Sequence, residues 1–159
     1  MLTNAQLATL QADILADPAL AEFVSSGRDN AITSAYNSDS GAIVWRTSAQ
    51  RGEVMGDWFD WSQVDNLTAG QARIWDYLFD NDARSCNPAN SNVRAGIAEC
   101  WKGTAAKLAV QAMVLGYCKR PATRAEALFA TGNKTLASPG TMTFEGVITD
   151  ADIARALRG

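Results

Sequence analysis

The sequence predicts a mainly α-helical, compact, bundle-like domain with one or two short extended segments and long loops. Three observations carry that expectation. A hydroxyl residue is followed three positions later by Gln or Glu at Thr3–Gln6, Thr68–Gln71 and Thr123–Glu126, the spacing at which side chain and backbone cap each other at a helix start. The residues after these caps place apolar side chains at helical intervals. Only two stretches, GAIVWRTS from Gly41 and TMTFEGVI from Thr141, are rich in strand-forming residues.

Taken in order, Thr3 opens a helix whose Leu7, Leu10 and Ile14 share one face. Asp17 before Pro18 caps a second, short helix through Leu20, Phe23 and Val24, because proline suits the first helical position. A further helix is predicted over Asn30 to Tyr36, then the polar loop NSDSG. After the extended GAIVWRTS, Ser48 is placed as the cap of a short helix through Met55. Trp58, Phe59 and Trp61 follow as an aromatic knot in the core. Thr68 opens the clearest helix, with Ile74, Trp75, Leu78 and Phe79 facing inward. Asn90 or Asn92 caps VRAGIAECW, and Thr104 caps a long helix. Pro121 stops that helix, which puts Lys119 and Arg120 in its last turn, where cations complement the negative dipole end. Thr123 restarts a short helix through Leu128 and Phe129. GNKTLASPG is a turn-rich loop, TMTFEGVI is extended, and Thr149 with Asp150 and Asp152 opens the final helix.

The 159 residues are expected to form one domain: N-terminal helices over 3–36, a helical core over 44–131, and an extended segment with a C-terminal helix over 141–158. No apolar run approaches the ~20 residues that cross a bilayer. MLTNAQLATLQADIL lacks the basic start and unbroken apolar stretch of a secretory signal, so synthesis in the cytoplasm is expected. Cys86, Cys100 and Cys118 are too widely spaced for a metal pair and read as core residues.

The chain has no histidine, which removes Ser-His-Asp and Cys-His nucleophilic machinery and HExxH zinc sites together. Fourteen scattered Lys and Arg against seventeen Asp and Glu give a net charge of −3, unlike the clustered basic charge of a dedicated nucleic-acid binder. GNKT at Gly132 lacks the P-loop spacing, because Asn133 separates glycine from Lys134. DND at Asp80–Asp82 offers two carboxylates to a hard cation but reads as solvated surface. No cofactor or metal is expected. Asp57, Asp60 and Asp65 beside Trp58 and Trp61 are the one catalytic alternative, since a glycoside hydrolase needs one carboxyl kept protonated by an apolar setting and one left ionised.

The order of VWRTS at Val44, DW at Asp60, RAGI at Arg94, CKRPATRAEALFAT at Cys118 and FEGVITDADIARA at Phe144 resembles a group of small proteins encoded among the virion-structure genes of tailed bacteriophages. There VWRT, R-x-A-T-R-x-E and EG-x-[IL]-[TS]-x-x-D occur in that order. The likeness runs from about Val44 onward. It implies a non-enzymatic head–tail connector or adaptor, a homo-oligomeric ring, typically dodecameric, at the virion neck that contacts the portal and the tail or neck proteins. It implies at most passive contact with packaged DNA and none with membrane. Capsid decoration, head completion and tail terminator proteins are compatible stations. Under this resemblance Arg120, Arg124, Glu126, Asp152, Arg155 and Arg158 are the candidate subunit or portal interface, the loops NSDSGA and GNKTLASPG order on a partner, and the C-terminal helix lies in a groove of the portal or next ring.

Overall fold

The computed structural model describes all 159 residues. Just over half of them are helical, in nine α-helices, with four short strands. In order these are α1 (Asn4–Ala16), a 3-10 turn (Pro18–Leu20), α2 (Ala21–Ser25), α3 (Asp29–Tyr36), β1 (Asp39–Trp45), β2 (Ala49–Gln50), α4 (Arg51–Val54), a second 3-10 turn (Trp61–Gln63), α5 (Ala69–Leu78), β3 (Ser85–Cys86), α6 (Ser91–Cys100), α7 (Ala105–Tyr117), β4 (Lys119–Thr123), α8 (Arg124–Phe129) and α9 (Asp150–Arg158). The mainly α fold matches the sequence expectation. The contacts, however, divide the chain at Val44/Trp45 and Arg120/Pro121 into two compact units, Met1–Val44 with Pro121–Gly159, and Trp45–Arg120. The stretch 121–131, grouped with the central helices on sequence, belongs to the terminal unit.

In the terminal unit α9 packs on α1 and α3, and α8 on α3. Leu10, Ile14, Ile32, Tyr36, Val44, Ile148 and Ile153 are its largest fully buried side chains. Four helices of the chain begin with both bonds of the capping box: Thr3 with Gln6, Thr68 with Gln71, Thr123 with Glu126 and Thr149 with Asp152. β1 and β4 form a two-stranded sheet, tightened by Ser40 Oγ donating to the Ala122 carbonyl at 2.7 Å.

The extended segment expected over Thr141–Ile148 forms no strand, only a bridge between Thr131 and Thr141. Side chains hold it instead. The Asn37 amide donates to the Ile148 carbonyl at 2.9 Å and accepts from its N–H at 3.0 Å, and Thr143 Oγ1 donates to the Phe129 carbonyl at 2.6 Å. Gly146, at φ 120°, interrupts the extended run where a larger residue would be strained.

In the central unit α5 packs on α6 and α6 on α7. Gly96 makes the first contact close, because a Cβ there would stand 3.1 Å from Leu78 Cδ2. Phe59 is the hub of the aromatic knot, with its ring centroid 5.2 to 6.3 Å from those of Trp58, Trp61, Trp75 and Trp101. Trp61 is nevertheless 59% exposed, so the knot is core at Phe59 and surface at Trp61. Lys107 is buried, its Nζ donating to Gln71 Oε1 at 3.1 Å. Gln71 also donates to the carbonyls of Glu99 and Lys102 at the end of α6. The ammonium thus rests near the negative end of that helix.

Two local expectations are corrected. Lys119 and Arg120 are not in a last helical turn: α7 ends at Tyr117, Cys118 caps it, and both cations stand in β4. Pro121 disfavours helix at the residue before it, and the strand pairing satisfies the backbone there. Ser48 caps nothing, because the chain first makes β2, paired antiparallel to β3 with Ala49 opposite Cys86, and α4 starts only after Gln50. The free thiols of Cys86, Cys100 and Cys118 are buried, as expected of core cysteines, and burial pushes Cys86 up to about 11 and Cys100 and Cys118 up to about 12. Thr68→Ala is predicted to cost about 1 kcal/mol in urea unfolding, while Ser48→Ala stays within about 0.5 kcal/mol of wild type.

Candidate functional site

The segment from Lys119 to Phe129 joins a strand to a capped helix, and its charged side chains reach well beyond it. Thr123 Oγ1 accepts from Glu126 N at 3.2 Å, and Glu126 Oε2 accepts from Thr123 N at 3.1 Å. The other oxygen, Glu126 Oε1, accepts from Gly146 N at 3.2 Å. This carboxylate is 3% exposed. A buried charge is tolerated where its lone pairs are used, and both oxygens here hold backbone N–H groups from two segments.

Arg124 begins α8. Its Nη1 donates to Asp17 Oδ2 at 2.6 Å and its Nη2 to Asp13 Oδ2 at 2.8 Å, and its guanidinium lies 4.4 Å from the Tyr36 ring centre. The Tyr36 hydroxyl donates to the same Asp13 carboxylate. Hydrogen bonding from Arg124, then from Ala19 N–H, holds the Asp17 carboxyl below its usual range. Burial, then the bond to Asp13, raises the Tyr36 hydroxyl above its own. Burial works against the Arg124 charge, but the two carboxylates more than offset it and raise its pKa. The group is a fixed ionic tie between α1, the turn after it, α3 and α8.

The remaining residues expected at an interface are also engaged within the chain. Asp152 caps α9 and is buried, Arg155 Nη1 lies 3.8 Å from Asp152 Oδ1, and Arg158 pairs with Asp29. Arg120 is half-buried in β4. In the C-terminal helix Ile153 and Ala156 face the core of its own unit. Both loops make contacts within the chain. NSDSGA runs into β1, and in GNKTLASPG the Lys134 Nζ donates to the Ala127 carbonyl at 3.0 Å while the Lys134 carbonyl accepts from Ile43 N at 2.9 Å.

In the central unit Trp45 receives two cations, Arg94 at 4.7 Å and Lys119 at 5.4 Å from its ring centre. Arg94 also donates to the Pro88 and Ala89 carbonyls at 2.6 and 2.9 Å, fixing the loop before α6. The sequence pairs Glu126 with Thr123 but gives no sign of Gly146, nor of the partners of Arg124 and Trp45. Asp13 lies 111 positions from Arg124, and spacing carries no signal over that distance.

Asp57, Asp60 and Asp65 are all exposed. Asp60 accepts from Ser62 N at 3.1 Å and from Ser62 Oγ at 2.6 Å. These bonds, with the Ser62 hydroxyl contributing most, hold its carboxyl below the usual range, the opposite of a poised general acid. Asp80 and Asp82 line a cavity of about 690 Å³ with Arg51, Arg84, Asp76 and Tyr77, where Arg51 pairs with Asp76 at 3.0 Å. No three His, Cys, Asp or Glu side chains are grouped so as to hold a metal ion, and no helix is long and apolar enough to cross a membrane. No family model, no curated protein and no solved structure matches the chain.

Two outcomes are expected of the Arg124 tie. Arg124→Ala lowers unfolding stability by about 2 kcal/mol, because charged hydrogen bonds are lost and carboxylates are left unpaired, and Arg124→Lys recovers less than half for want of the fork. The Asp17 carboxyl titrates lower in the folded chain than in the unfolded one, so its contribution is present above the ordinary Asp range and fades as pH falls through the lowered value. Denaturation midpoints of wild type and Asp17→Asn should therefore differ at pH 7 and draw together as the pH falls below the ordinary Asp range.

Proposed function

We propose that the chain is a structural component of a tailed-bacteriophage virion, a head–tail connector or adaptor that forms a ring between portal and tail. One observation carries the reading. The short motifs on which the likeness rests, far apart in the chain, meet in space and tie the fold together. Glu126 of R-x-A-T-R-x-E holds Gly146 of the late EG motif. Trp45 of VWRT carries Arg94 of RAGI and Lys119 of the CKRPATRAE stretch on its ring. The motif residues act as architectural ties, and a protein whose product is a shape has its signature in such ties.

Positions on the surface, among them Arg155 at 41% and Arg158 at 52% side-chain exposure, supply the contacts between subunits, each copy offering one face to the neighbour before it and another to the neighbour after it. Portal and tail proteins are its partners, and the virion neck is its station.

The test is complementation of a phage deleted for this gene, followed by cryo-electron microscopy of the particles with local refinement at the neck. The reading predicts that the chain restores infectivity and forms one ring between portal and tail. Density spread over the capsid lattice would contradict the connector station, and infectious particles without the chain would contradict the virion assignment.

A further inference from the structure

Two cavities on the central unit meet at Tyr77 and Asn81, which line both. The cavity of about 690 Å³ is charged, with Arg51, Arg84, Asp76, Asp80 and Asp82 in its wall. Its neighbour, of about 360 Å³, is walled chiefly by Ile74, Leu78, Val93 and Cys86. Both volumes lie in the range of about 300 to 1,000 Å³ that small-molecule sites occupy. Together they make a groove beside α5 that is charged at one end and apolar at the other. The Tyr77 side chain, 68% exposed, stands at the junction.

The charges at the polar end do not all cancel. Arg51 donates to Asp76 at 3.0 Å, which accounts for one of each sign. Arg84, Asp80 and Asp82 remain, and their side chains make no ion pair or hydrogen bond within the chain. Helix α5 ends at Leu78, just before Asp80, so the negative end of its dipole adds to the two carboxylates. The turn that carries these residues is fixed by its own bonds. Arg84 N donates to the Asn81 carbonyl at 2.9 Å, the Arg84 carbonyl accepts from Arg51 N at 2.8 Å, and the Asn81 amide bonds both the N–H and the carbonyl of Ser85. Arg84 stands at φ 48°, in the left-handed region that residues other than Gly, Asn and Asp seldom enter. Glycine suits that backbone better, and what arginine adds there is a cation in the cavity wall.

We propose that the groove binds a free α-amino acid with a large apolar side chain. Its carboxylate pairs with the Arg84 guanidinium, whose fork matches two oxygens. Its ammonium is held by Asp80 and Asp82, and its side chain enters the cavity walled by Ile74, Leu78 and Val93. Simpler ligands leave part of the groove unmatched. A lone cation meets Arg84, a lone anion meets two carboxylates, and a purely apolar molecule leaves all three charges without a partner. The inference goes beyond the virion reading and does not rest on it.

Arg84, Asp80 and Asp82 are exposed, and exposed charge pairs each contribute little. With about a dozen non-hydrogen atoms in the ligand, the dissociation constant is expected between about 0.1 and 1 mM.

Isothermal titration calorimetry of the full chain with L-phenylalanine, up to about 10 mM to bracket that range, tests the proposal. The expected result is one saturable site. Arg84→Gly should weaken L-phenylalanine by about tenfold yet leave phenethylamine, which lacks the carboxylate, unchanged. Asp80→Asn combined with Asp82→Asn should weaken both. The urea midpoint of Arg84→Gly should equal or exceed that of wild type, because glycine relieves the left-handed backbone, so its lost affinity is not lost folding. N-acetyl-L-phenylalaninamide, which has the side chain and neither charge, should not bind. Absence of saturable heat from L-phenylalanine would overturn the proposal, as would equal binding of the blocked compound or an affinity that Arg84→Gly leaves intact.

Discussion

The carboxylate of Glu126 is the interaction on which the terminal unit depends. A buried carboxylate is costly unless its oxygens are used, and here one oxygen closes the capping box of α8 while the other holds the backbone N–H of Gly146. The second bond fixes a segment with no strand pairing beyond a single bridge, and that segment delivers Ile148 to the core and Thr149 to the start of α9. Asn37 secures the same segment from α3 through both hydrogen bonds of its amide. The path from one capped helix to the next is therefore set by side chains bonding backbone, which fixes a route through irregular chain that neither helix nor sheet would supply.

The central unit solves a different problem. Its core is built on aromatic rings around Phe59 and Trp75, and its helices close on one another through a missing side chain at Gly96. The cations that stack on Trp45 and the lysine that reaches Gln71 sit at the margins of this packing. At these places charge holds backbone and rings in position.

Much of the fold was legible because helix starts are local. Thr3, Thr68, Thr123 and Thr149 each meet a partner three residues on, so the sequence carries the complete interaction. What failed was set by distant pairing. Ser48 has the right chemistry for a cap, but Ala49 and Gln50 find Cys86 and Ser85 across a two-residue ladder. Lys119 and Arg120 have the right sign for a helix end, yet Pro121 and strand pairing draw them into β4. TMTFEGVI has strand-forming residues but no strand beside it. The intrachain partners of Arg124 and Arg158 were illegible for the same reason, since Asp13, Asp17 and Asp29 lie more than 100 residues away and the sequence offers no sign that they would take up those charges.

Amide hydrogen exchange of wild type against Glu126→Gln is the most direct test of whether the motif residues act as ties. Glutamine keeps the size of the side chain but removes the charge and replaces one acceptor oxygen with a donor. The account predicts that protection falls at Gly146 and through Ile148 to Ala156, while α5, α6 and α7 exchange as in wild type. Unchanged protection at Gly146 and along α9 would mean that the fold holds this path without Glu126, and would contradict the account.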